Sequence, residues 1–142
     1  MALKVCQLCA VDFTLKHFLL PLIDGMEKEG WTVISVCSDG PYIRKLQKKG
    51  YNIETVYIAR SYNVFQHFKS ILALTRFFKE QEFDIVHVHS PIAAFVARLA
   101  ARFASVSVVI YTAHGFYFHD EMMPLKRSVF LFLEKWVGKY TN

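Results

Sequence analysis

The stretch from Phe83 to Phe118, FDIVHVHSPIAAFVARLAARFASVSVVIYTAHGFYF, constrains the fold of this chain more than any other. Two short runs rich in β-branched residues flank a helix-forming segment, which reads as strand, helix and strand. Each strand ends in polar residues. Strands joined by a crossover helix run parallel, and a parallel sheet covered on both faces binds ligands beyond the carboxyl ends of its strands. His89, Ser90 and the segment His114, Gly115 and Phe116 therefore fall along one rim.

The remainder of the chain repeats this unit. Leu3 to Val11 is apolar almost throughout, as in a strand buried on both faces, and Asp12, Phe13 and Thr14 read as the loop after it. Lys16 to Glu29 carries Phe18, Leu19, Leu22, Ile23 and Met26 at helical spacing, with Gly30 as a stop signal. Trp31 to Ser38 is a second strand, Tyr42 to Lys49 a short basic helix, and Asn52 to Ile58 a third strand. Ala59 to Asn63 is a polar loop containing Arg60. A long helix follows to about Gln81, with Val64, Phe68, Ile71, Thr75 and Phe78 on its stripe and Ser61 or Asn63 as its cap. Ile85 to His89 is the fourth strand, Ser90 and Pro91 cap and open an alanine-rich helix, and Val108 to Thr112 is the fifth strand. Five alternations with right-handed crossovers predict an α/β domain in three layers, a doubly wound parallel sheet in the order 3-2-1-4-5.

In the last segment, Leu125, Val129, Phe132, Leu133 and Trp136 form a stripe over Pro124 to Tyr140 that is expected to pack on the sheet. Phe130 and Val137 sit on its shoulder, and Leu131 lies among Lys126, Arg127 and Lys135. These residues are expected either to pack against a neighbouring loop or a second domain outside this chain, or to make a shallow membrane contact, since a helix with adjoining apolar and basic faces suits an anionic interface.

Composition narrows the class. At 142 residues, 54% apolar and 20% charged, the chain fits one globular domain and no low-complexity tract. The net charge of +5 favours anionic partners such as phosphates or acidic membrane surfaces. Nucleic acid is not an expected partner, since the basic residues are dispersed and no recognised module occurs. The opening MALKVCQLCAVDF lacks the features of a signal peptide, and no run approaches the roughly 18 apolar residues of a spanning helix, so a cytosolic location is expected. Cys6, Cys9 and Cys37 are then reduced thiols; Cys6 and Cys9, three apart on a strand, face opposite sides of the sheet.

Several chemistries lose support at once. No G-x-G-x-x-G follows the first strand, and neither a P-loop nor a G-x-S-x-G elbow is present. The histidines remain. His87 and His89 project from one face of a strand, and with His114 from the next they form a candidate metal set for a hydrolase. His114 also precedes Gly115 where a strand gives way to a loop, a place for a ring to accept a proton or to hydrogen-bond a sugar hydroxyl or a phosphate. A non-catalytic binding module with the same fold is a further reading.

IVHVHSPIAAFVARLAAR followed by VVIYTAHGFYFH closely resembles the amino-terminal domain of retaining, family 4 glycosyltransferases of the GT-B type, in particular bacterial enzymes of exopolysaccharide or capsule assembly. VDFTLKHFLLPLI, SDGPYIRKLQKKG, IARSYN and PLKRSVFLFLEKWVGKYTN are similar to the same group, so the likeness covers essentially the whole chain. It implies a Rossmann-like domain on the acceptor side of a cleft, at residues 1–142, with the carboxy-terminal nucleotide-sugar domain lying outside this chain and the chain by itself inactive. It further implies transfer from a nucleoside diphosphate sugar to a saccharide or lipid-linked acceptor with retention, at the inner face of the cell membrane, with no separate cofactor and no required metal. Carried over by position, His114 matches the histidine that reaches the donor sugar, with Gly115 and Phe116 completing its loop. Asp12, Phe13, Thr14 and Lys16 match the loop near the donor phosphates and acceptor, where many members carry paired glycines, and Arg60 and Ser90 join the substrate-binding set.

Overall fold

The computed structural model describes residues 2–116 and 118–142. Five strands, β1 (Lys4–Leu8), β2 (Thr32–Cys37), β3 (Ile53–Thr55), β4 (Ile85–His89) and β5 (Val108–Thr112), form one sheet. Its order is β3-β2-β1-β4-β5, with every pairing parallel. The expected doubly wound order is thus the one found. β3 stops at Thr55, short of the expected Ile58, because the chain there turns to bond Ser38, whose Oγ accepts from the Ile58 N–H at 3.0 Å.

Pleating sorts the strand residues onto two faces. Cys6, Leu8, Val36, Val86, Val88 and Val109 lie with Leu74 and Phe78 of α4 (Val64–Gln81) and the alanines of α5 (Pro91–Phe103) in one core. Cys9, Val33, Cys37 and Ile53 lie with Leu15, Leu19 and Ile23, and with Ile43 and Leu46 of the short α3 (Ile43–Lys48), in the other. Cys6 and Cys9 therefore do sit on opposite sides. Burial pushes the Cys6 thiol well up, and Cys37 is raised by its hydrogen bond to Cys9 and by burial, so neither is a nucleophile at neutral pH.

Three helical segments depart from the periodicity reading. Asp12 to Thr14 is not a loop: it opens a continuous helical run comprising α1 (Asp12–Thr14), a π-helical segment at Leu15–Leu19 and α2 (Leu20–Lys28). A π-turn inserts extra residues into the helical repeat, so the inward positions become Leu15, Leu19 and Ile23, and Phe18 is turned out to 59% exposure. Along α4, Asn63 is the cap, its Oδ1 accepting from the Phe65 N–H at 3.0 Å. The inward residues of that helix are Ser70, Leu74 and Phe78, while Val64 and Phe68 face outward.

The last helix, α6 (Pro124–Val137), is rotated further. Phe130, Leu133, Glu134 and Val137 turn inward, whereas Leu125, Val129, Phe132 and Trp136 of the expected core stripe are exposed. What turns it is a charge. Arg98 on α5 is 1% exposed, and its guanidinium Nη2 meets Glu134 Oε1 at 2.8 Å, so α6 must present Glu134 to the core. Beyond α6, Asn142 bonds the open edge of β5, its N–H donating to the Val109 carbonyl at 2.9 Å.

Candidate functional site

The carboxyl rim gathers the residues after β1, β4 and β5. Gly115, with φ of +146°, lies in backbone territory that other residues rarely adopt, which accounts for glycine directly after His114. His114 itself is exposed. Its Nε2 lies 3.1 Å from Nδ1 of His89 at the end of β4, and the two rings stack with centroids 5.3 Å apart. His89 Nε2 in turn lies 2.8 Å from Oε1 of Gln7 on β1, a residue with no exposed surface. Gln7 pairs in register with His87, so Gln7, His87 and His89 share one face of the sheet.

The His87 ring packs tilted, at 41°, against His89 with centroids 4.1 Å apart, and its Nε2 reaches Thr112 Oγ1 at 2.7 Å. Burial, then the proximity of His87 and His114, pushes the His89 pKa down to about 3; burial and His114 lower that of His87 as well. Both rings are therefore neutral near pH 7. The three histidines do come together, but not as a metal set. Both ring nitrogens of His89 are already spent on Gln7 and His114, and among the described residues no group of three or more His, Cys, Asp or Glu could hold a metal ion. The metal-hydrolase reading loses its ligands on this geometry.

The residues after β1 divide into two roles. Asp12 is buried, and its Oδ2 accepts from the Tyr42 N–H at 2.7 Å. A Cβ on Gly40 would lie 2.3 Å from its carboxyl carbon, so only glycine admits Asp12 there. Asp12 thus ties the loop after β2 to the start of the helical run after β1. Phe13 is exposed and packs on His17 at 4.3 Å and Phe18 at 6.4 Å; Phe18 continues to His114 at 5.9 Å. This aromatic series joins the first helical run to the His114 loop. Lys16 Nζ lies 3.8 Å over the Tyr42 ring, a cation–π contact, and Thr14 is partly buried in the same turn.

Ser90 occupies the cap position of α5, yet its side chain makes no capping bond. Its φ of 74° is one that favours glycine, and a strained rim residue of this kind costs on the order of 1–3 kcal/mol. Arg60, Ser61 and His67 line a cavity of about 370 Å³ with Ile92, Phe95, Phe116 and Phe130, among other apolar residues. Arg60 and Phe116 thus meet at this cavity, Ser90 immediately precedes its Pro91 wall, and Asp12 and Lys16 lie elsewhere on the rim. Gln7, Phe18 and Met26 are the residues that sequence reading missed. The available signal was a lone amide inside an otherwise apolar double-buried strand.

A parallel 3-2-1-4-5 sheet with a His-Gly loop on its carboxyl rim defines a doubly wound, Rossmann-like domain. The chain belongs to the glycosyl transferase 4-like family, whose model matches residues 4–141. It is 33% identical over 145 residues to a Bacillus subtilis (strain 168) protein named for a glycosyltransferase, EpsD, covering 100% of this chain and 37% of that protein. It is 27% identical over 136 residues to the Escherichia coli UDP-Gal:alpha-D-GlcNAc-diphosphoundecaprenol alpha-1,3-galactosyltransferase, covering 87% of this chain and 35% of that enzyme. Among solved structures, Acinetobacter baumannii MurG aligns with a TM-score of 0.68 at 17% identity, over 97% of this chain and 38% of that one. A Listeria monocytogenes protein described as a UDP-N-acetylglucosamine 2-epimerase aligns with a TM-score of 0.71 at 16% identity, over 100% and 38%. These structural likenesses establish the fold. The chain spans little more than a third of the length of the proteins it matches.

Proposed function

We propose that this chain is the acceptor-side half of a glycosyltransferase of cell-surface polysaccharide assembly. In that reaction a sugar passes from a nucleoside diphosphate donor to a lipid-linked saccharide, with retention at the anomeric carbon. The observation that carries the reading is the exposed His114 ring, secured from beneath by His89, on a rim that also holds the apolar cavity bearing Arg60. His114 orients or polarises a sugar hydroxyl, and backbone amides at a helix start with cationic side chains stabilise the departing diphosphate. Most donor contacts fall to the second half of the enzyme, so this chain binds nucleotide sugars weakly.

The cavity suits the apolar part of an acceptor close to its diphosphate. Its aromatic and aliphatic walls favour a prenyl segment, and Arg60 supplies charge for a phosphate. No helix among the described residues is long and apolar enough to cross a membrane. Exposed Leu125, Val129 and Phe132 beside Lys126 and Arg127 fit a peripheral contact with the inner, anionic face of the membrane, the protein otherwise residing in the cytoplasm.

Titration of the labelled chain in detergent micelles with a prenyl-diphosphate saccharide should shift the NMR resonances of Arg60, Phe95 and Phe116. The same saccharide without its lipid should leave them in place. Equal shifts from both, or shifts confined to the opposite end of the sheet, would remove the lipid-linked acceptor from this reading.

A further inference from the structure

The polar pairs beneath His114 run in a single direction that begins at a sulfur. Gln7 lies between Met26 Sδ, 3.3 Å from its Nε2, and His89, 2.8 Å from its Oε1. A thioether can only accept. Turning the amide over would place its oxygen against the sulfur, acceptor facing acceptor, so the amide nitrogen must point to Met26 and the oxygen to His89. His89 Nε2 must then carry the proton that Gln7 accepts.

A neutral imidazole has one N–H, which leaves His89 Nδ1 bare. Its neighbour at 3.1 Å is His114 Nε2, and two bare nitrogens do not attract. We propose that Met26, Gln7 and His89 form a relay that fixes the tautomer of His114, holding its proton on Nε2 and leaving Nδ1 as the ring nitrogen open to a ligand. The low pKa of His89 supports this, since a ring that stays neutral keeps Nδ1 as an acceptor.

The consequence is specificity. In its neutral form His114 offers an acceptor to the rim, which pairs with a hydroxyl and not with an ionised phosphate oxygen, itself an acceptor. Gln7 and His89 are thereby positioning residues for a sugar hydroxyl. Only this role depends on the glycosyltransferase reading; the tautomer does not.

Long-range proton–nitrogen NMR correlation on the nitrogen-labelled chain near neutral pH reads each ring nitrogen directly. Expected are His89 and His114 protonated at Nε2 and bare at Nδ1. Gln7→Leu should abolish the single tautomer at both rings. A filler role for Gln7 would leave the His114 tautomer unchanged in Gln7→Leu, and that result would overturn the relay. So would a proton on His114 Nδ1 in the unsubstituted chain, a measurement that stands even where Gln7→Leu does not fold. A chain with no transferase role would give the same spectra, so the two claims fail separately.

Discussion

Glu134→Ala should lower the unfolding free energy of this domain by about 2–4 kcal/mol. Arg98 is 1% exposed and its charge has three supports: Glu134 Oε1 at 2.8 Å, the Ala94 carbonyl at 3.1 Å from Nε, and the Tyr111 ring at 4.5 Å. Removal of the carboxylate leaves a buried cation on a carbonyl and a ring face. The expected loss lies below the largest values for broken buried pairs because the Glu134 side chain is 26% exposed and water can replace it in part. Replacing both partners, Arg98→Met with Glu134→Leu, should recover most of the loss, since no unpaired charge is then left inside. Urea denaturation checks both variants, with an unchanged slope indicating that stability alone has moved. A Glu134→Ala domain as stable as the parent would mean that the pair does not hold α6 against α5.

Acidification should produce the second large effect. Burial pushes the His89 pKa from 6.5 down to about 3, with His87 and His114 adding to the shift. The unfolded chain then binds a proton at a pH where the folded chain does not. Stability contributed by the neutral ring is therefore complete above about pH 6.5 and is lost as pH falls from there towards 3, at up to about 1.4 kcal/mol per pH unit. His87, lowered in the same direction, steepens the fall. His89→Gln should flatten the dependence of stability on pH across this window relative to the parent domain. Comparison of the two removes the carboxylates, whose titration is common to both. Parallel curves for parent and variant between pH 4 and 6.5 would show that His89 is not held neutral.

Much of the fold was legible because it rests on patterns that local sequence carries well. Apolar β-branched runs alternating with amphipathic segments specify a parallel sheet, and handedness leaves few orders to choose from. Asn63 was legible as a cap, and the opposed faces of Cys6 and Cys9 followed from a period of two. What escaped was decided by partners distant in sequence. α6 carries more apolar residues than one stripe can use, and only the buried Arg98, 36 residues earlier, settles which of them turn inward. A π-turn moved Phe18 from the expected core stripe to the rim beside His114.

The site shows the same division. His114 and Gly115 were readable from a His-Gly pair at a strand end, and His89 from its spacing with His87. Gln7 was hidden within an apolar run. Its meaning depends on His89, 82 residues away, and on a sulfur from the helix packed above it. Asp12 was readable as a rim residue, but its partners Tyr42 and Gly40 come from the loop after β2 and make it a brace between that loop and the first helical run.

The central claim is that the rim carrying His114 serves glycosyl transfer. The most direct test uses a protein in which this domain is joined to the proposed nucleotide-sugar domain, assayed for transfer of labelled sugar to a prenyl-diphosphate saccharide. His114→Ala should reduce the rate by about 100-fold or more while the domain unfolds at the same denaturant concentration, because an exposed rim ring contributes little to packing but its contact strengthens at the transition state. Full transfer by the His114→Ala protein would contradict the account.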